Sequence, residues 1–293
     1  MAGDQRPVRA GLQIPQAGPN ADGPFVTDFV AHARQVGVRS FWVGEHIVMG
    51  GFSHRAKVTE TFLDPLVALA YLAGMNRDVE LGTSVLVVPY RNPLVLLKGL
   101  CTIAHLTQQR LIVGVGAGWA EEEFNTLGSD FHRRGRTTDE FCEMFLRLRD
   151  EDEGGWQVGR FTYSGRGFEP RPTPLTELWI GGNSAAARRR AARYATGWQP
   201  TGQAPDVVRE GIDEVRRQAA TFGRDPEAIS LGIRLRVRVT PENHRDELPN
   251  LFEAYQEAGV TDFLCEVNTR DRGYTLEAIT HAVEAFRRAG VTV

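Results

Sequence analysis

The chain has 293 residues, 42% of them hydrophobic, with a formal net charge of -3 and three cysteines. That length suits one α/β barrel or two smaller domains, and the charge gives no bulk basic field, which argues against nucleic acid as the main partner. Cys101, Cys142 and Cys265 are odd in number and in no CxxC spacing, and no apolar run reaches the length of a bilayer crossing. Neither a disulfide framework nor a cysteine zinc site nor a membrane span is expected, and with no apolar leader-like run near residue 1 the expected location is cytoplasmic.

In chain order, Val8 to Ile14 reads as a strand and Pro24 to Gly37 as a helix with apolar residues at helical spacing before a glycine stop. Ser40 to His46 is a second strand, followed by a long polar loop to Thr61 and a helix from Asp64 to Met75 with Asp64 as cap and Pro65 at its first position. Val79 to Val88 is the third strand, and Asn92-Pro93 opens a helix to about Leu106. The stretch Arg110 to Phe124 opens, after its arginine, with an apolar, glycine-ended fourth strand that leads into the acidic AEEEF, with its main helix starting near Thr137 and ending near Asp150. Residues 152–177 break the period with Gly, Pro, Tyr and Phe, and suggest an inserted hairpin.

The period then resumes with strands at Leu178 to Gly181, Gly197 to Pro200, Ile229 to Val239 and Asp262 to Val267, each followed by a helix. Eight strand-helix pairs predict a single (β/α)8 barrel over residues 1–293, with 152–177 inserted between the fourth helix and the fifth strand. The second and third helices are apolar around more of their circumference than one buried face requires, which suggests a homodimer interface.

In such a barrel the ligand site lies at the carboxyl ends of the strands. That places Gln13, Glu45, His46, Ser84, Val85, Gly116, Gly118, Trp119, Gly181, Gly182 and Trp198 together as candidates. Glu45, Trp119 and Trp198 are candidate walls of a small-molecule pocket. His46 could move a proton near neutral pH or be a structural histidine beneath its loop. Gly181, Gly182, Asn183 and Ser184 open a helix, where backbone N–H groups could hold a phosphate or where Ser184 could act only as a cap. The remaining histidines show no HExxH spacing, so no catalytic metal is expected. Ser84 lacks the second glycine of a nucleophile elbow, and Trp119 stands where a dinucleotide fingerprint needs glycine.

The stretches FWVGEH, DPLVALAYLAG, LGTSVLVVPYRNPLVLLK, RLIVGVGAGWAEEEFNTLG, RGRTTDEF and WIGGNSAAARRRAARYATGW together resemble the bacterial luciferase-like monooxygenase superfamily, and within it the branch of probable coenzyme F420-dependent oxidoreductases. The resemblance implies a TIM barrel with a flavin or deazaflavin ring over the end of the third strand. It also implies a non-prolyl cis bond at Ser84-Val85, a cradle at Gly116, Ala117 and Gly118, and the cofactor phosphate near Gly181 to Ser184. His46 matches a histidine near the reactive face. Trp119 and Gly50 stand where sugar-phosphate dehydrogenases of the superfamily carry glutamate and tryptophan, which argues against glucose-6-phosphate as substrate. The implied activity is hydride transfer between F420 and a small organic substrate; the alternatives are an FMN-dependent monooxygenase and a flavin-binding protein without turnover.

Overall fold

The computed structural model describes residues 7–48, 61–150 and 154–293. Its parallel strands are β1 (Arg9–Gln13), β2 (Ser40–Val43), β3 (Glu80–Thr83), β4 (Leu86–Val87), β5 (Leu111–Gly116), β8 (Thr176–Gly181), β9 (Gly197–Gln199), β10 (Ser230–Arg236) and β11 (Asp262–Glu266). They close in the order β1, β2, β3 with β4, β5, β8, β9, β10, β11 and back to β1. This is the expected eight-membered barrel, with its third member split into β3 and β4 at the cis Ser84-Val85 bond. Residues 156–158 and 161–163 form the antiparallel hairpin β6–β7 in the stretch before β8.

The outer layer is α1 (Gly23–Gln35), α2 (Pro65–Met75), α3 (Pro93–Thr107), α5 (Arg134–Asp150), α6 (Ala185–Tyr194), α7 (Pro205–Thr221), α8 (Glu247–Glu257) and α9 (Arg272–Arg288), with a short extra helix α4 (Glu121–Thr126) after β5. The caps follow the sequence. The Asp64 carboxylate accepts from Val67 N–H, and Asn92 Oδ1 accepts from Leu94 and Val95 N–H, meeting donors that a helix start leaves unpaired.

Inside the barrel, two tryptophans fill the middle. Trp42 and Trp179 pack at 6.1 Å between ring centroids, with Ile112 and Leu264 beside them. Glycines opposite them make the room: a Cβ on Gly82 would lie 2.4 Å from Trp42, and one on Gly197 would lie 2.4 Å from Trp179. At the amino end of the strands Arg9 bridges Glu80 and Asp262, and Arg110 bridges Glu80 and Glu177 at 3.1 and 2.6 Å. Ion pairs and indoles therefore close the lower half of the barrel, and the opposite mouth is left for ligands.

The apolar excess on α2 and α3 is partly on the surface. Val67, Tyr71 and Met75 lie four residues apart along α2, and Val95 and Leu106 on α3 are 69% and 76% exposed. A groove of about 470 Å³ between the two helices is lined by Ala70, Ala73, Gly74, Ile103 and Leu106, among others.

Candidate active site

His46 stands three residues past the end of β2, with residues 49–60, including Gly50, outside the described part of the chain. Its Nδ1 lies 3.1 Å from Glu123 Oε2 on α4, and its ring meets Phe62 and Trp119 edge-on. Glu123 is fully buried. One of its oxygens accepts from the N–H groups of Ile47 and Val48; the other accepts from the Tyr90 hydroxyl at 2.7 Å and faces His46. Burial alone would raise this carboxyl, but the donors from Val48, Tyr90, Ile47 and His46 outweigh it and hold its pKa below the ordinary carboxylate value. Tyr90 is pushed up, by burial and by Glu123, and stays a neutral donor.

A carboxylate can only accept, so His46 presents a proton on Nδ1 to it, and in the neutral ring the lone pair is then on Nε2. Glu123 and Tyr90 were not singled out from sequence. Three consecutive glutamates, Glu121, Glu122 and Glu123, point about 100° apart around a helix, and only packing shows that the third turns inward while the first two are exposed.

Glu45, expected to line the pocket, does not. It is 5% exposed, accepts from Val87 N–H, and is gripped by Arg91, whose guanidinium also reaches Asp64 at the cap of α2. Burial pushes its carboxyl up while Arg91 and the Val87 N–H pull against it. Trp198 is likewise corrected. Side chains alternate along a strand, and the neighbours of Trp198, Gly197 and Gln199, face the barrel interior. Its indole therefore points outward against Gly211 on α7, with Nε1 donating to Gly182 O at 2.9 Å.

Val85 sits half-buried between two cradle glycines: a Cβ on Gly116 would come 2.9 Å from it, and one on Gly181 2.4 Å. These glycines seat the Val85 side chain, so Val85 forms the floor of the mouth. Ala117 is half-buried above it, and Gly118 has φ +79° with Val87 and Phe124 against the place of a Cβ, a conformation glycine adopts without penalty. Ser84 and Gln13 are buried at the same level. Beneath them Gln199 donates to Thr83 O, while its buried Oε1 has no hydrogen-bond partner among the described residues. A flat, polar-edged ring fits this place: a branched apolar floor, backbone brought close by glycine, and an unmet buried acceptor.

The Gly181 to Ser184 turn is less open than the sequence suggests. Gly182 has φ +116°, and its N–H is engaged by Gln199 O at 3.3 Å. The Asn183 side chain is tied to both backbone groups of Thr201. Ser184 caps α6 by accepting from Ala187 N–H. An anion here would rest on the first-turn N–H groups of the exposed Ala185 and Ala186, which have no intrahelical acceptors. Across the mouth, Arg234 and Arg236 share the barrel-facing side of β10 with Gly232, and Glu266 on β11 pairs with Arg236 at 2.6 Å. Sequence reading passed over these charges because arginine is abundant along the whole chain. Among the described residues no helix is long and apolar enough to cross a membrane.

The model of the luciferase-like monooxygenase family matches residues 10–289. An uncharacterised protein of Mycobacterium tuberculosis is 29% identical over 163 residues, which is 56% of this chain and 56% of that one. The FMNH2-dependent dimethylsulfone monooxygenase of Pseudomonas putida is 27% identical over 183 residues, 60% of this chain and 50% of that one. The matches to these curated relatives span about half of their length. Among solved structures, an F420-dependent secondary alcohol dehydrogenase in complex with an F420-acetone adduct superposes with a TM-score of 0.79 at 16% identity, over 95% of this chain and 99% of that one. The monooxygenase RslO1 from Streptomyces bottropensis superposes with a TM-score of 0.75 at 17% identity, over 95% and 98%.

Proposed function

Because the chain belongs to the luciferase-like monooxygenase family, we propose that it is an oxidoreductase that binds coenzyme F420 at the barrel mouth and exchanges hydride between it and a small organic substrate. When bound, F420 supplies a hydride donor or acceptor carbon on its deazaflavin. The observation that carries the reading is the His46, Glu123 and Tyr90 cluster beside the exposed Trp119. Interconverting an alcohol and a carbonyl moves a proton as well as a hydride, and the proton needs a fixed partner. Glu123 holds His46 with its proton on Nδ1, which presents Nε2 as the nitrogen to take a hydroxyl proton, or to return it in the reverse direction. Val85 supports the ring from below, and the first turn of α6 receives the phosphate.

The second reading is FMN-dependent oxygenation, which the similarity to the dimethylsulfone monooxygenase supports. Separate titrations with F420 and FMN, followed by ring fluorescence, decide between them. Tighter binding of F420 is expected. Tight FMN binding with oxygen consumption and no measurable F420 affinity would replace the first reading with the second. Binding without turnover on any alcohol or carbonyl would leave a carrier.

A further inference from the structure

A second group of polar side chains converges on the outer layer, on elements that do not carry His46. His244 lies in the segment between β10 and α8, and His281 and Glu284 are three residues apart on α9, a spacing that puts both on one face. The His244 ring is 3% exposed and stacks on the His281 ring at 4.3 Å between centroids. Its Nε2 is 3.1 Å from Glu284 Oε2, and His281 Nδ1 is 3.8 Å from the same oxygen. All three atoms lie within 4.8 Å of one another.

Neutral rings do not satisfy this arrangement. His244 Nδ1 faces the Thr240 carbonyl at 3.2 Å, and a carbonyl only accepts, so Nδ1 carries the proton. Nε2 of the neutral ring is then a lone pair, yet it faces a carboxylate oxygen. His281 Nδ1 is buried with no hydrogen-bond partner among the described residues. A hydrogen bond from His244 to Glu284 would serve that contact alone and leave His281 Nδ1 unmet. A divalent cation settles all three.

We propose that His244, His281 and Glu284 bind a divalent cation of the zinc class. Two imidazoles and a carboxylate are the ligand types that select late first-row metals over calcium or magnesium. Ligand atoms on a tetrahedral zinc with bonds of 2.0–2.1 Å are roughly 3.3 Å apart, so the 3.1 Å pair fits as it stands and the 3.8 Å pair closes by a small turn of the half-exposed Glu284. Thr240 is the outer partner that fixes the His244 tautomer with Nε2 as ligand. The ion would pin to α9 the segment that leaves β10 directly after Arg236. The site is a structural clip, independent of the redox chemistry, and its two histidines are too far apart in sequence to show as a motif.

Tag-free protein stripped with a chelator is titrated with Co²⁺ and Zn²⁺, with Mg²⁺ as the control. The expected result is a single equivalent bound per chain, Co²⁺ visible absorption, no Mg²⁺ effect, and a thermal midpoint raised by on the order of 5 °C at one hundred times Kd. Glu284→Gln should weaken uptake at least about tenfold. His281→Phe keeps the ring stack and should abolish uptake while leaving the stripped protein folded, with a midpoint within about 2 °C of wild type. Absence of saturable uptake by the wild type, or uptake by both variants equal to that of the wild type, overturns the site. So does a Glu284→Gln midpoint that falls equally with and without metal, since that outcome describes an ion pair between His244 and Glu284.

Discussion

Exchanging Glu123 for glutamine separates what the carboxylate does for the fold from what it does for His46. Glutamine can place its carbonyl where Ile47 and Val48 N–H now donate, and its amide nitrogen then faces His46 Nδ1 and the Tyr90 hydroxyl. The hydroxyl can rotate to accept, and the imidazole can shift its proton from Nδ1 to Nε2. Four bonds survive in number, and what is lost is the charge on them. At about 1 kcal/mol for each charge-assisted bond made neutral, the cost is about 2 to 4 kcal/mol, a fall in midpoint of about 10 °C or less. Alanine would instead take the acceptor from two part-buried backbone donors, a hydroxyl and an imidazole, about 4 kcal/mol or more and a large share of a domain's net stability.

The chemical consequence of glutamine is larger, because it reverses the nitrogen that carries the proton. When an amide replaces the carboxylate behind a catalytic histidine, the wrong tautomer lowers kcat by up to about 10⁴, and Glu123→Gln should lower turnover by about 10² to 10⁴ with little change in cofactor affinity. Two readouts are needed: the ¹⁵N shifts of the His46 ring, and turnover per folded, cofactor-saturated chain. Turnover within about threefold of wild type, with the proton moved to Nε2, would refute the assignment of His46 as the proton carrier. Acid gives a further check. The Glu123 pKa is depressed in the fold, so its stabilisation is fully present above the ordinary carboxyl pKa of about 4.3 and is lost as pH falls through the lower folded value. Below about pH 4.5 wild-type stability should fall more steeply than that of Glu123→Gln.

Three other outcomes are expected. Ser184→Asp keeps a good helix cap but places negative charge where the phosphate would rest, so it should weaken cofactor binding by about tenfold or more with an unchanged thermal midpoint; loss of both together would make the turn purely structural. A second copy on the exposed face of α2 and α3 predicts a dimer in sedimentation at micromolar concentration that Val67→Glu with Val95→Glu dissociates, and a monomeric wild type would refute it. Gly197→Ala should cost about 1 to 3 kcal/mol in denaturant unfolding, because its Cβ would lie 2.4 Å from Trp179; a neutral result would mean that the tryptophan can move aside.

The barrel was legible because several helix starts carry their own chemistry, such as Asp64-Pro65 and Asn92-Pro93, and strands such as Leu111–Gly116 are uninterrupted apolar and glycine runs. His46, Val85 and the glycine turns could be placed at the mouth for the same reason. What could not be read was direction. Trp198 and Trp179 are both strand tryptophans, yet one faces α7 and the other the barrel interior, and a single position of register decides which. Glu45 and Glu123 are both acidic residues near the mouth, yet one is held by Arg91 and the other by His46 and Tyr90. Partners far apart in the chain set these roles, and no local pattern records them.

The closed lower half of the barrel divides the molecule by height. The arginine and carboxylate bridges and the two packed, tilted indoles hold the strands at one end. Val85, Trp119, Gln199 and Arg234 stand at the other, along strands that those lower layers already fix. Substrate preference can therefore drift by exchange of upper residues without reopening the question of whether the chain folds. For a designer the same division gives a practical rule: diversify above the Trp42 and Trp179 layer, and leave everything beneath it alone.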